Sequence, residues 1–287
     1  MPNYNIAGIK INFNYLYDDF FKDNIEAYLT DETAMDYQMH VHQVGTINPI
    51  KGTPDITFKN RSIFHKDGKV HIMILDQEGL VKQLIVHTLD YKTVDIYLSR
   101  TLNNHLAELE YVITGLIFLE LAILEKRLAL HGAALVHDNK AIIFSASSGT
   151  GKSTHANYWC DTFENIMIIN DDKPVIYKEN NTFYVAGTPW CGKDVINKNA
   201  SYPLKSIVFL NQGKLDIVKE ISTKEKLQTF LKNCIRPRNE ALMQDTLTMI
   251  EDLVLNVSMV AYDATHSINS VKPIYNYLFG GQYENKK

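Results

Sequence analysis

The residues with the clearest chemical content are Ala146-Ser147-Ser148-Gly149-Thr150-Gly151-Lys152-Ser153. Between a strand and a helix, the pattern G-x-x-x-x-G-K-[ST] wraps backbone N–H groups around phosphate oxygens. Its Lys reaches the β and γ phosphates, and its hydroxyl ligates Mg2+. The flanks fit: Ala141–Ser145 is a short apolar run of buried-strand type, and a helix is expected from Ser153. One position departs, because Ala146 stands where the first glycine is usual. An alanine is tolerable there only if φ stays negative. Gly149 and Gly151 are kept, so N–H groups can approach the phosphates, and the helix N-terminus adds its positive end. Ser147, Ser148, Gly149, Thr150, Gly151, Lys152, Ser153 and Thr154 are therefore expected to hold the phosphates of a nucleotide.

Phosphoryl chemistry also needs a second metal anchor and a group that orients or deprotonates the acceptor. Asp171-Asp172 follow the apolar run Ile166–Ile169, with Asn170 between. In an α/β sheet the C-terminal end of a neighbouring strand lies beside the phosphate loop. One carboxylate is thus expected to complete the Mg2+ site while the other faces the acceptor. Adjacent acids also raise each other's pKa, which suits a base near neutrality. His131-Gly132 lies in the apolar run ahead of the loop, where a lone His is ordinarily a core residue. Downstream, Trp190 offers an apolar face with an N–H, and Lys193 could hold a phosphate or a substrate carboxylate. The same segment also reads as a Gly/Pro turn with a packed Trp. Arg236 and Arg238 flank Pro237, within reach of phosphates or simply solvated.

The elements that must position these groups can be read from periodicity. Ile9, Ile11 and Phe13 alternate with polar or small neighbours, as do Tyr37, Met39 and Val41. Ser62–Lys66 and Val70–Leu75 flank Asp67-Gly68-Lys69 as a hairpin, and strands are expected over Gln83–Leu89 and Thr93–Leu98. An amphipathic helix spans about Leu102 to Lys126, with Leu106, Leu109, Ile113, Leu116, Ile117 and Ile123 on one face. Beyond it, Leu128–Val136 reads as one strand, joined to Ala141–Ser145 through Asp138-Asn139-Lys140. Pro174–Tyr177 and Phe183–Ala186 form a second hairpin, and Ser206–Leu210 is a further strand. Helices close the chain at about Lys224–Asn233, Glu240–Leu255 and Ser270–Leu278, with Thr223 and Asn239 as N-caps of the first two.

At 287 residues, 45% hydrophobic and 22% charged, the chain has the composition of a globular protein of one large or two ordinary domains. The apolar stretch Tyr111–Leu119 is closed by Glu120 and falls short of a membrane span. No basic residue followed by an apolar run opens the chain, so no secretory leader is expected. Cys160, Cys191 and Cys234 lie far apart without metal-ligand spacing and read as reduced thiols of a cytoplasmic protein. Residues 1–127 carry 12 basic and 17 acidic side chains, net −5, which leaves 17 and 16, net +1, for the rest of the 29 and 33. With a net charge of −4 and no Lys/Arg cluster, neither nucleic acid nor a membrane surface is an expected partner. The expected organisation is a β-rich α+β recognition domain over 1–103, a connecting helix over 104–127 and an α/β catalytic domain over 128–287.

Together, His131-Gly132, Ser145 to Thr154 and Asp171-Asp172 resemble the catalytic domain of HPr kinase, over roughly residues 128–275. The resemblance implies a P-loop kinase core of the HPr kinase and phosphoenolpyruvate carboxykinase type. It implies Mg2+ and ATP as cofactors and a serine hydroxyl as acceptor. It also implies roles: Lys152 contacts phosphates, Ser153 with Asp172 holds Mg2+, Asp171 takes the acceptor proton, and His131 sits near the transferred phosphate. The two Asp roles could be exchanged. HPr kinase carries an R-G-x-G segment after the acid pair, whereas this chain reads Gly187-Thr188-Pro189-Trp190-Cys191-Gly192-Lys193. That segment resembles the shorter HPr-kinase-like proteins of peptide maturation, including lasso-peptide precursor kinases. It points to a protein or ribosomally made precursor peptide as substrate, with Trp190 and Lys193 as contacts. HPr kinase forms hexamers, so the resemblance extends to self-association. A small-molecule kinase on the same fold and a nucleotide-sensing module without turnover are the competing readings.

Overall fold

A computed structural model describes residues 1–192, 196–237 and 240–280 of the chain. Lys193, Arg238 and Asn239 therefore lie outside the described residues. The fold is mixed α/β with two sheets, and the chain divides into two compact units, Met1–Leu121 and Ala122–Lys287.

The first unit contains β1 (Asn3–Ile6), β2 (Ile9–Asn14), α1 (Asp18–Ile25), β3 (Tyr37–Val44), β4 (Ile56–Phe58), β5 (Arg61–Lys66), β6 (Lys69–Leu75), β7 (Val81–Thr88) and β8 (Thr93–Ser99). They form one eight-stranded sheet in the order β1-β2-β3-β8-β7-β6-β5-β4. The alternation read from the sequence is a one-sided sheet: Ile9, Ile11, Phe13, Met39, Val41, Val94 and Ile96 are buried while their neighbours are half-covered or exposed. The hairpin turn Asp67-Gly68 has positive φ at both residues, the type I′ geometry that matches strand twist.

Helix α2 (Leu106–Leu124) is shorter than expected at both ends. Its burial is not confined to one stripe, because from Ile113 to Ile123 only Leu116 and Glu120 are half-exposed. The amphipathic reading fails there, since a helix covered on nearly its whole circumference needs no polar face.

The second unit contains β9 (Leu128–Ala129), β10 (Gly132–His137), β11 (Lys140–Ser145), α3 (Lys152–Thr162), β12 (Met167–Asn170), β13 (Val175–Glu179), β14 (Thr182–Ala186), β15 (Ser201–Gln212), β16 (Ile217–Glu220), α4 (Thr223–Asn233), α5 (Glu240–Asn256), β17 (Ser258–Ala264) and α6 (Val271–Phe279). The order is β12-β10-β11-β15, from which β17 and β16 continue one branch and β14-β13-β9 the other. Strands β11, β15 and β17 are mutually parallel. Helices cover both faces. Phe144, Leu135 and Val208 pack with Trp159 and Ile274 of α3 and α6, while Ile143, Val136 and Ile207 pack with Phe230, Ile250 and Leu253 of α4 and α5. That two-sided cover explains the unbroken apolar runs of the central strands.

Two boundaries differ from the sequence reading. The expected strand Leu128–Val136 is two strands, broken at Leu130-His131, because β9 pairs with β13 while β10 pairs with β11 and β12. The N-cap of α4 is Ser222, not Thr223: its hydroxyl accepts from Glu225 N while the Glu225 carboxylate accepts from Ser222 N, a reciprocal box that Thr223 with Lys226 could not close. Among the described residues no helix is long and apolar enough to cross a membrane.

Glu110 is the most deeply buried acid of the first unit, fully covered on α2. Its two carboxylate oxygens accept from Leu16 N at 2.6 Å and Tyr17 N at 3.0 Å. Burial pushes its pKa up to about 7 from the ordinary 4.5, against those two amide donors. An acid whose pKa rises on folding stabilises fully below its unfolded value, and that stability is lost as pH rises through the folded one. Between pH 4.5 and 8 the chain should therefore lose roughly 3 kcal/mol relative to Glu110→Gln. Urea unfolding of both proteins across that range measures the difference, and a constant difference would contradict the assignment.

Candidate active site

Gly132 makes the site possible. A Cβ there would lie 2.8 Å from the Phe144 carbonyl oxygen and 2.8 Å from Ile143 Cγ2, so only glycine lets the start of β10 run this close to β11. The register pairs Gly132 with Ser145, the last residue before the glycine-rich loop. Gly132 N also donates to Asp172 O at 2.9 Å, and Ser145 Oγ donates to His131 O at 2.8 Å. Three chain segments distant in sequence thus meet at one sheet edge. The acid pair does not sit on the strand beside β11, as expected. Strand β12 pairs with β10, which runs antiparallel between the two, so the acids reach the loop across the first residues of β10.

The loop from Ala146 to Gly151 links β11 to α3. Within it, positive φ falls only at Gly149 (80°) and Gly151 (103°), so Ala146 occupies ordinary backbone space. Gly151 is the N-cap of α3 and makes no side-chain cap bond, and the helix starts one residue earlier than expected, at Lys152. Ser147, Ser148, Gly149 and Ser153 are exposed, Thr150, Gly151 and Thr154 half-buried, and Lys152 is buried. The Lys152 ammonium donates to Ala146 O at 2.9 Å and Ser147 O at 3.3 Å, and meets His131 Nε2 at 2.9 Å. Burial lowers its pKa, opposed by the nearby Asp172 charge.

On the far side of the ring, His131 Nδ1 lies 2.8 Å from Asp172 Oδ1, and Lys173 Nζ donates to Asp172 Oδ2 at 2.5 Å. The neutral imidazole with its proton on Nδ1 satisfies both neighbours, giving to the carboxylate and accepting from the ammonium. Burial alone would raise the Asp172 pKa, but the His131 hydrogen bond and the Lys173 charge outweigh it and hold the carboxyl well below the usual range. For Asp172 this differs from the expectation that neighbouring acids push each other upward. The Asn170 turn places a cation and an imidazole against Asp172, and their effect dominates.

Asp171 is buried and its Oδ1 accepts from Gly192 N at 2.5 Å. A Cβ on Gly192 would lie 2.9 Å from Asp171 Oδ2, so the glycine is what allows the backbone to close over this acid. Sequence reasoning missed the residue that organises the whole turn. Asn170, fully buried, donates through Nδ2 to Thr188 O at 3.0 Å and Trp190 O at 3.3 Å, and accepts from Asp172 N at 3.0 Å and Lys173 N at 2.7 Å. An amide ending an apolar strand just before two acids was the available signal. Trp190, read as a substrate contact, is 3% exposed, with its carbonyl held in this network. Arg236 is exposed beyond α4.

The donor set suits a hard cation. Among the described residues no three His, Cys, Asp or Glu side chains cluster as a metal site. Mg2+ does not require such a cage, because it is commonly held by one or two carboxylates, water and phosphate oxygens. Ser153 at the loop and the ionised Asp172 are the oxygens that would hold it, and it would supply charge neutralisation at the phosphates.

No known protein family matches the chain, and no curated protein does. Among solved structures it is similar to the Hpr(Ser) kinase/phosphatase from Coxiella burnetii, at 15% identity and a TM-score of 0.23, over 44% of this chain and 92% of that one. A likeness of that size carries no argument for function, which rests on the site itself.

Because Asn170 is buried with both polar ends engaged, Asn170→Ala should cost on the order of 2–4 kcal/mol, from lost bonds and unsatisfied carbonyls. Thermal unfolding and denaturant titration check this. A variant as stable as the wild type would show that the turn holds itself together without the amide.

Proposed function

We propose that the protein is a Mg2+- and ATP-dependent kinase that transfers the γ-phosphoryl group to a serine hydroxyl of a protein or peptide. What supports this reading is one chain of contacts: Lys152, where the glycine-rich loop enters α3, joins through His131 to Asp172, beside Asp171. A loop that merely turned the chain would have no use for a buried lysine bridged to an acid pair.

In this reading the loop amides and the α3 N-terminus bind the phosphates. Lys152 exchanges its contacts with Ala146 O and Ser147 O for phosphate oxygens and balances charge developing on the transferred group. Asp172, kept ionised, is a weak base and a good cation ligand, so it takes the metal role with Ser153. Asp171 is left to accept the proton of the attacking hydroxyl. His131 orients both neighbours. The acidic first unit is assigned recognition of the acceptor, because every chemical motif lies in the second. Cytoplasmic location and self-association belong to the same reading.

Incubation with γ-labelled ATP, Mg2+ and a panel of serine-containing peptides tests it directly. Label should move to serine, and a protein that binds ATP without transferring label would sink the kinase assignment. Lys152→Ala should lower transfer by on the order of 10²–10³-fold with the fold intact by circular dichroism. Asp171→Asn should keep ATP affinity within a few-fold while transfer falls on the order of 10²–10⁴-fold. Asp172→Asn should weaken metal use instead, so that its rate recovers as Mg2+ is raised. Calorimetry with a Mg2+ titration separates the two, and the opposite pattern would exchange the roles.

A further inference from the structure

Both carboxylate oxygens of Asp172 are already engaged. Oδ1 lies 2.8 Å from His131 Nδ1, and Oδ2 accepts from Lys173 Nζ at 2.5 Å. The two partners differ in kind. The ring is neutral in the tautomer that also satisfies Lys152, so it gives a hydrogen bond without a charge. The ammonium brings a full positive charge to a carboxylate whose side chain is mostly covered. A divalent cation and an ammonium repel strongly at such a site, because charges a few ångströms apart are poorly screened away from bulk water.

The two lysines of this edge are held differently. Lys152 is buried, and its ammonium is tied to two loop carbonyls as well as to the ring. The Lys173 side chain is 35% exposed, and among the described residues its ammonium pairs with Asp172 alone. Its backbone N–H is fixed on Asn170 Oδ1 at 2.7 Å. The ammonium can therefore swing on its flexible stem while the turn and Asp172 stay in place.

We propose that Lys173 occupies the cation position of Asp172 in the nucleotide-free protein and yields it only when phosphates arrive. Metal and nucleotide then bind as a unit. This rests on the metal role given to Asp172 in the kinase reading. The exchange has the differential interaction that such a switch needs. A metal ion alone only replaces the ammonium, whereas a metal–nucleotide complex also brings anionic oxygens that take the released ammonium as a partner.

Mn2+ titration of the nucleotide-free full chain, followed by electron paramagnetic resonance, tests this. Lys173→Met should bind Mn2+ about 5- to 150-fold more tightly than the wild type, the usual size of a coupling between two ligands. Lys173→Gln should do the same, and Lys173→Arg should keep the wild-type affinity because it keeps the charge. A lysine with a merely structural role would leave the affinity unchanged or weaken it on removal. Adding Asp172→Asn to Lys173→Met should abolish the gain. No gain in either neutral variant overturns the proposal, as does an equal gain in Lys173→Arg. The metal role of Asp172 then stands or falls separately, on the Mg2+ dependence of Asp172→Asn. A gain that survives Asp172→Asn puts the metal elsewhere, and the exchange and the metal role fail together.

Discussion

The site depends on a backbone approach that only one residue type permits. Gly132 carries no side chain, so the start of β10 can lie against the Phe144 carbonyl, and its own N–H reaches the Asp172 carbonyl across the opposite side. Remove that closeness and the loop, the histidine and the acid pair no longer share a sheet edge. The sheet topology follows the same logic. An antiparallel β10 between β11 and β12 puts one strand's beginning between two strands' ends, and strand ends are where backbone groups and functional side chains can face a ligand.

Charge at this edge is arranged in alternation. Two lysines and a carboxylate are linked through one neutral ring, from Lys152 to His131 to Asp172 to Lys173. Buried charges of one sign are costly unless a partner and hydrogen bonds compensate them. Here the imidazole passes polarisation between cation and anion without adding a charge of its own. The Asp172 carboxylate stays ionised under this arrangement, whereas Asp171 meets a backbone amide. Two identical side chains adjacent in sequence thus acquire different chemistry from their neighbours alone.

Much of this was legible in the residue order, for reasons that are local. Asp67-Gly68, Asp138-Asn139 and Asn180-Asn181 all take positive φ, which is why those residue types mark two-residue hairpin turns before any fold is known. The glycine-rich loop was legible because Gly149 and Gly151 do in the backbone what their spacing implied. The illegible features depend on partners far away in sequence. The break at His131 exists because its N–H bonds to Asn233 O and its flanks pair with different strands, which no periodicity within Leu128–Val136 encodes. Likewise the low pKa of Asp172 needs His131. The Ser222 cap is a different case, since the Glu225 three residues on was in plain view.

The segment from Gly187 to Gly192 has no freedom at its roots. A side chain at Gly187 would run into the carbonyls of Ile169 and Lys198, Thr188 and Trp190 are tied to Asn170, and Gly192 caps Asp171. Such a segment cannot be rebuilt one residue at a time. A change at any of these positions displaces an acid or breaks the turn that presents it, so tolerated variation must arrive as compensated groups. Among descendants of a common ancestor, Asn170, Gly187 and Gly192 should be inherited or lost together. Divergence in what the protein acts on should accumulate elsewhere on its surface.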